Sequence, residues 1–205
     1  MPPPVCLGRA VVNLTKEKRR LLRESRAAQA AYDRLLSAGS STIVCADEYH
    51  TRFKIHWDKK YFAHLCGWDY YSDAAKTIPA PRRLFYDRLK KGVDLSKYVA
   101  PTDEYIPSAE EKAKGVTVLE LTRRKNEVAL MAFELRDATK VVVSAKGSVL
   151  VFFGGSRWAM GLNREPDAEW YYPKTLVAES VEDGSVRRKN GRTPSTMEWT
   201  ISHIE

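Results

Sequence analysis

The sequence predicts an α+β fold, in which N-terminal helices come first and a small antiparallel β-sheet follows. Two observations predict it. Helix-forming composition and helix caps dominate the first part of the chain, and strand-like runs separated by short turns follow residue 126. At 205 residues the chain is long enough for one sizeable core. We expect a tail with a long helix over residues 1–41 and one domain over residues 42–205.

A long helix is predicted over residues 16–38, which are rich in Leu, Ala, Arg, Lys, Glu and Gln. One helical stripe carries the apolar residues Leu21, Ala28, Tyr32 and Leu35. Gly39 provides a C-terminal stop, and the prolines near the start favour an extended lead-in over residues 1–14. The basic residues of this helix are either a solvated face or an electrostatic arm on nucleic acid.

Four further elements are predicted in the next part of the chain. Alternating or continuous apolar patterns predict strands over residues 42–46 and 52–57. Short helices are predicted over residues 59–66 and 82–91, and each is followed by a glycine.

The second half changes from helical to strand-like patterns. Ser108 and Glu111 form a capping box that predicts a helix over residues 109–123. Strand-like runs then cover residues 127–135, 140–145, 148–153, 158–162 and, as a closing strand, 197–204. This order of helices followed by an antiparallel sheet distinguishes the chain from an alternating α/β fold.

The composition constrains partners and compartment. The formal net charge of +8 favours an anionic partner such as RNA, although a merely basic surface fits the same number. No apolar run approaches the roughly 20 residues of a membrane span, and the N-terminus has no signal-peptide pattern. The cysteines Cys6, Cys45 and Cys66 are sparse and odd in number, as in reduced thiols. We expect a cytoplasmic protein without membrane partners.

Metal and cofactor patterns are missing from the sequence. His64 and Cys66 stand two apart, and Cys45 and His50 stand five apart, but neither pair makes a recognisable zinc module. No phosphate loop of the P-loop or dinucleotide type occurs. We therefore expect neither a metal site nor a bound cofactor.

Three short motifs occur in a fixed order along the chain. Residues 61–68 contain a Phe-x-His-Leu-x-Gly element, and residues 84–92 contain Phe-Tyr-x-x-Leu-x-x-Gly. Residues 172–176 read Tyr-Pro-Lys-Thr-Leu, with Thr175 where the related pattern has serine. Over residues 50–180 this ordered set resembles a phage- and mobile-element-associated family of predicted nucleases, within the barnase–EndoU–colicin–RelE-like (BECR) superfamily.

The resemblance implies helices before a four-stranded antiparallel sheet, and RNA cleavage without a metal ion. In such a transesterification, a base removes the ribose 2′-OH proton and an acid protonates the departing 5′-oxygen. Cations or donors stabilise the charged phosphorane. The expected partners are RNA, tRNA among them, and an inhibitor or antitoxin protein, because the resemblance suggests a toxin or defence effector.

The resemblance and residue chemistry together select the candidate site. His64 is the first choice for acid–base work, since an imidazole titrates near neutral pH. The candidate catalytic residues are His64, Arg88, Lys112, Arg157 and Thr175. The candidate RNA-binding residues are Tyr86, Lys90, Ser156, Tyr172 and Lys174. We expect His64 to lie off its helix's apolar stripe and to reach a cleft. Core packing for the tyrosines and a solvated face for the cations are the alternatives.

Clusters of aromatic residues offer a weaker indication of nucleic-acid binding. Residues 68–71 and 170–172 place several rings near basic residues, as binders of single strands need. Most of these rings should pack in the core, but such dense clusters cannot all face inward.

Two rival functions from other classes remain open. One is a non-catalytic nucleic-acid-binding or regulatory module on the same fold, and the other is a protein-interaction factor of a phage or mobile element. His64 grouped with Arg and Lys in a basic cleft would favour the enzyme. A basic groove with His64 buried in the core would favour binding alone, and a neutral cleft would favour protein interaction.

Overall fold

The computed structural model describes residues 7–102, 113, 117–143, 151–182 and 197–205, with side chains from Leu14 onward. The described residues form four helices: α1 (Leu7–Ala38), α2 (Lys59–Leu65), α3 (Arg82–Lys90) and α4 (Val118–Phe133). They also form nine strands: β1 (Ser40–Cys45), β2 (Arg52–His56), β3 (Trp68–Tyr70), β4 (Val99–Pro101), β5 (Lys140–Val143), β6 (Val151–Gly154), β7 (Ala159–Asn163), β8 (Tyr172–Val177) and β9 (Met197–Ile204).

Seven strands form one sheet in the order β2-β1-β9-β5-β6-β7-β8, and every neighbouring pair is antiparallel. The sheet nearly closes on itself, because Ile55 of β2 forms a parallel bridge with Tyr171, just before β8. The amide of Tyr171 donates to the carbonyl of Lys54 at 2.7 Å, and the amide of His56 donates to the carbonyl of Tyr171 at 2.8 Å. Strands β3 and β4 form a separate antiparallel pair.

All four helices contribute aromatic rings to the centre of the core. Tyr32 of α1 lies 5.1 Å from Phe62 of α2 and 4.9 Å from Phe133 of α4, measured between ring centroids. Tyr86 of α3 meets Phe62 edge-on at 5.1 Å. Tilted and edge-on rings at such separations attract each other beyond the apolar area that they bury. The cluster therefore holds α1 and α3 on the layer that α2 and α4 form against β8.

The α+β class and the mainly antiparallel sheet are confirmed, but the sheet is larger than predicted. It has seven strands, and two of them, β1 and β2, precede α2. The long first helix is also longer than predicted. It begins at Leu7, so the extended lead-in predicted over residues 1–14 is wrong from residue 7 onward. Within the helix predicted over residues 109–123, residues 109–112 and 114–116 lie outside the described residues, and residues 118–123 are helical as the start of α4.

The strand predicted over residues 127–135 is wrong, because residues 127–133 form the second half of α4 and residues 134–135 the turn after it. The Thr117 hydroxyl accepts a hydrogen bond from the Glu120 amide at 3.2 Å, which caps the helix. From there, the buried residues recur at helical spacing: Thr122, Lys125, Asn126, Val128, Ala129, Ala132 and Phe133. The Thr-x-x-Glu pattern at residues 117–120 was a local signal for this start.

Candidate functional site

His64 lies on the buried side of α2. This helix begins after Asp58, whose carboxylate accepts a hydrogen bond from the Lys60 amide at 2.9 Å. His64 is only 4% exposed, since α2 packs against β8. The expectation that His64 reaches an open cleft is therefore wrong. The helix has only seven residues and β8 covers this side of it, so His64 is buried even though it lies beside the apolar stripe.

Three cations from three elements act on the His64 imidazole. Burial and, to a smaller extent, the positive charges of Lys125, Arg82 and Lys174 together lower the pKa of His64 from 6.5 to about 3. A hydrogen bond with the backbone of Lys174 opposes this effect. The imidazole is therefore neutral at pH 7. We call His64 and these three cations the His64 cluster.

Lys125 comes to the cluster from the middle of α4 and is itself 4% exposed. Its side chain passes Gly67, where an added Cβ would lie 3.2 Å from the Lys125 Cδ. Gly67 also has a φ of +80°, which a side chain would strain. The glycine of the Phe-x-His-Leu-x-Gly motif thus ends α2 and leaves room for a buried lysine beside His64.

A buried hydrogen-bond network holds α4 in place beside the end of α2. The Asn126 amide donates to the carbonyls of Cys66 and Thr122, each at 2.8 Å. Its oxygen accepts from the Ser25 hydroxyl at 2.5 Å, and that hydroxyl accepts from the Trp68 indole at 3.0 Å. Buried polar groups that are satisfied in this way specify one packing arrangement. The network therefore determines where the neighbouring Lys125 lies.

Three candidate residues on α3 form their contacts with residues outside the His64 cluster. The Tyr86 hydroxyl donates to the Asp33 carboxylate of α1, and Lys90 pairs with the same carboxylate at 2.9 Å. Arg88 donates to the Tyr70 hydroxyl at 2.6 Å. Tyr86 is fully buried in the aromatic core. These polar groups connect α3 to α1 and β3. The observed roles are therefore structural, as in the alternative of core packing for the tyrosines.

The remaining candidates divide between β8 and a distant turn. Lys174 belongs to the cluster, and Tyr172 lies two residues before it on β8. Thr175 is buried next to Lys174 along the strand. Ser156 and Arg157 are exposed in the turn between β6 and β7. That turn contacts the end of α4, where the Trp158 indole donates to the Arg136 carbonyl at 2.9 Å. Eleven residues separate this point from Lys125, on the order of 15 Å along the helix direction. Lys112 lies outside the described residues.

Tyr172 has a stacked partner that the sequence reasoning missed. Its ring lies parallel to that of Tyr61 on α2, with 5.4 Å between centroids and 11° between planes. The Lys60 ammonium lies 4.9 Å from the Tyr61 ring centre. Lys125 and Arg82 were missed as well. The signal for Lys125 was a charged residue inside the apolar period of α4.

The lowered pKa of His64 makes the folded state sensitive to acid. Below pH 6.5 the unfolded chain protonates this histidine, whereas the folded chain does not until pH falls to about 3. The free energy of unfolding should therefore decrease as the pH is lowered from 6.5 to about 3. Between pH 7 and pH 5 we expect a loss of about 2 kcal/mol from His64. Urea unfolding at both pH values measures it. His64→Gln should lose less over the same interval, and equal losses in both proteins would contradict the assignment.

Comparison of the chain with protein-family models, with curated proteins and with solved structures found no match. Within the described ranges, no helix has the length and apolar character needed to cross a membrane. In those same ranges, no group of three or more His, Cys, Asp or Glu side chains is arranged to hold a metal ion.

Proposed function

We propose that this protein binds RNA at the His64 cluster and cleaves it by transesterification, without a metal ion. One observation carries the proposal. A neutral, buried imidazole lies where Lys125, Lys174 and Arg82 concentrate positive charge on it. Such a group of cations suits a phosphate diester. The ordered motifs that resemble the BECR superfamily support the same reading, because His64, Lys174 and Thr175 all belong to them.

Binding of a phosphate prepares His64 for proton transfer. The like charges that lower the pKa of His64 are compensated when a phosphate lies among them, so the imidazole becomes a stronger base. Because His64 is 4% exposed, proton transfer requires α2 and β8 to separate enough to admit the ribose. His64 then takes the proton from the ribose 2′-OH, whose oxygen attacks the phosphorus. The departing 5′-oxygen takes a proton from the ammonium of Lys174, which is half-buried and reaches the surface. Lys125 and Arg82 stabilise the negative charge of the phosphorane.

A second candidate is RNA binding without cleavage. The burial of His64 and its pKa of about 3 favour it, since a histidine in such a place also serves to hold the backbone of Lys174. Both candidates use the same cations and fit a cytoplasmic protein. A ribonuclease of this kind would also need an inhibitor protein in its own cell, and we include that partner in the first candidate.

Incubation of the purified protein with total RNA and with tRNA in EDTA tests the proposal, with gel retention measured alongside. We expect cleavage, and we expect Lys174→Ala to weaken both binding and cleavage because it removes a phosphate contact. Lys16→Ala removes the same charge from an exposed position on α1 and serves as the matched control. RNA that is retained but stays intact would favour the second candidate. Absence of binding at low ionic strength would contradict both.

A further inference from the structure

An outward-facing row of side chains runs along the seam where the sheet nearly closes. Ile55 and Tyr171 are paired there, and Ile55 is buried. Tyr171 packs against the buried Phe53, with 5.8 Å between the ring centroids. Because side chains alternate along a strand, Lys54 and His56 of β2 and Tyr172 of β8 face outward on either side of this pair. Lys54 and His56 are exposed, and Tyr172 is half-buried. Trp170 lies in the bend before Tyr171, is half-buried, and places its ring against that of His56.

Aromatic rings dominate this row. His56 lies 5.1 Å from Trp170, and Tyr172 stacks on Tyr61 as described above. We call His56, Tyr61, Trp170 and Tyr172 the aromatic strip. Four cations accompany the strip and its seam: Lys54, Lys60, Arg164 and Lys174. Partly exposed rings among cations contrast with Trp57, Trp68 and Tyr70, which are buried in the core.

The aromatic strip leads directly into the His64 cluster. Tyr61 precedes His64 by three residues on α2, so the two side chains lie one turn apart on the same side of the helix. Tyr172 precedes Lys174 by two residues on β8, about 7 Å along the strand, and shares its side of the sheet. The strip therefore adjoins the cluster at two places, where Tyr61 lies next to His64 and Tyr172 lies next to Lys174.

We infer that the aromatic strip binds unpaired bases next to the phosphate held by the His64 cluster, so that the substrate is single-stranded RNA. This inference rests on the proposed function. Aromatic side chains bind bases by stacking on faces that an unpaired strand exposes, and the contact tolerates any base. In a duplex those faces are covered by neighbouring base pairs, and proteins read the duplex by shape and backbone instead. A loop or an unpaired linker in RNA fits this surface.

Binding of uncleavable 2′-O-methyl RNA to the full chain tests the inference by fluorescence anisotropy. The same sequence is offered as an unpaired strand and as a duplex. We expect tighter binding of the unpaired strand, and we expect Tyr172→Leu to weaken it by about 5- to 150-fold. Trp170→Leu should act in the same direction, and Tyr172→Phe, which keeps the ring, should lose much less. Tyr49→Leu is the matched control, since Tyr49 is 80% exposed in the turn between β1 and β2.

The outcomes separate this inference from the function on which it rests. Equal binding of strand and duplex, together with parent-like affinity of Tyr172→Leu and Trp170→Leu, would overturn the inference that the aromatic strip binds unpaired bases. If Lys174→Ala still weakened binding in that case, the RNA site at the His64 cluster would stand. If the parent bound neither RNA form at low salt, the proposed function and the inference would both fail. Melting temperatures of all variants show whether a loss reflects unfolding.

Discussion

Replacing His64 by glutamine should abolish most RNA cleavage while the fold and most RNA affinity remain. Glutamine fills much of the space of the imidazole and can still form a hydrogen bond with the backbone of Lys174. It cannot exchange a proton with a ribose hydroxyl near neutral pH. Loss of one acid–base group typically lowers the rate by about 100- to 10,000-fold. The measurement is the initial cleavage rate at pH 7 in EDTA, with the melting temperature recorded on the same preparations.

Glutamine is the informative substitution because His64 is buried. Its motif position predicted a side chain that reaches a cleft, but His64 is 4% exposed. His64→Ala would leave a cavity and a broken hydrogen bond, so we expect it to cost on the order of 2–4 kcal/mol of unfolding free energy. Parent-like cleavage by His64→Gln would remove this residue from the chemistry. Unfolding of the glutamine variant would indicate a structural histidine.

Gly155→Ala should destabilise the fold strongly. A Cβ at this position would lie 2.0 Å from the carbonyl oxygen of Asp137, in the turn that follows α4. The same residue donates its amide to the Trp158 carbonyl at 3.1 Å and accepts from the Val181 amide at 2.9 Å, so it cannot shift easily. We expect a loss of about 3 kcal/mol, the upper part of the usual range for overpacking. Urea unfolding of variant and parent measures it.

Gly39→Ala is the matched control for this substitution. Gly39 ends α1 with a φ of +73°, and nothing lies within 4 Å of an added Cβ. The change should cost about 1–2 kcal/mol through backbone strain alone. Equal losses in the two alanine variants would show that the turn between β6 and β7 does not pack against the end of α4 as described.

Local signals were sufficient for several elements of the fold. Alternating residues predicted β2, and the patterns before Gly67 and Gly92 predicted α2 and α3, because caps and periodicity act over a few neighbouring residues. The apolar run in α4 was misread as a strand, since short apolar runs do not distinguish the two states. The bridge between Ile55 and Tyr171 joins distant segments, and no local pattern predicts it.

The sequence predicted only those residues of the candidate site that belong to the short motifs. His64 and Lys174 stand in motifs and come together in the structure. Lys125 joins them because α4 packs beside α2, which depends on the buried contacts of Ser25 and Asn126 rather than on nearby sequence. Tyr86 and Lys90 were candidates for the same motif-based reason, yet Asp33 of α1 binds both. Tertiary contacts with α1 therefore decided which polar residues of the motifs face the cluster.

In the proposed reaction this protein breaks RNA through the ribose 2′-OH. The most direct test of that reaction is incubation in EDTA with an unpaired RNA, followed by the same strand carrying a single 2′-deoxy sugar at the position of cleavage. We expect fragments ending in a 2′,3′-cyclic phosphate from the RNA, and no cut at the deoxy position. Intact RNA in EDTA, or equal cleavage at the deoxy position, would contradict it.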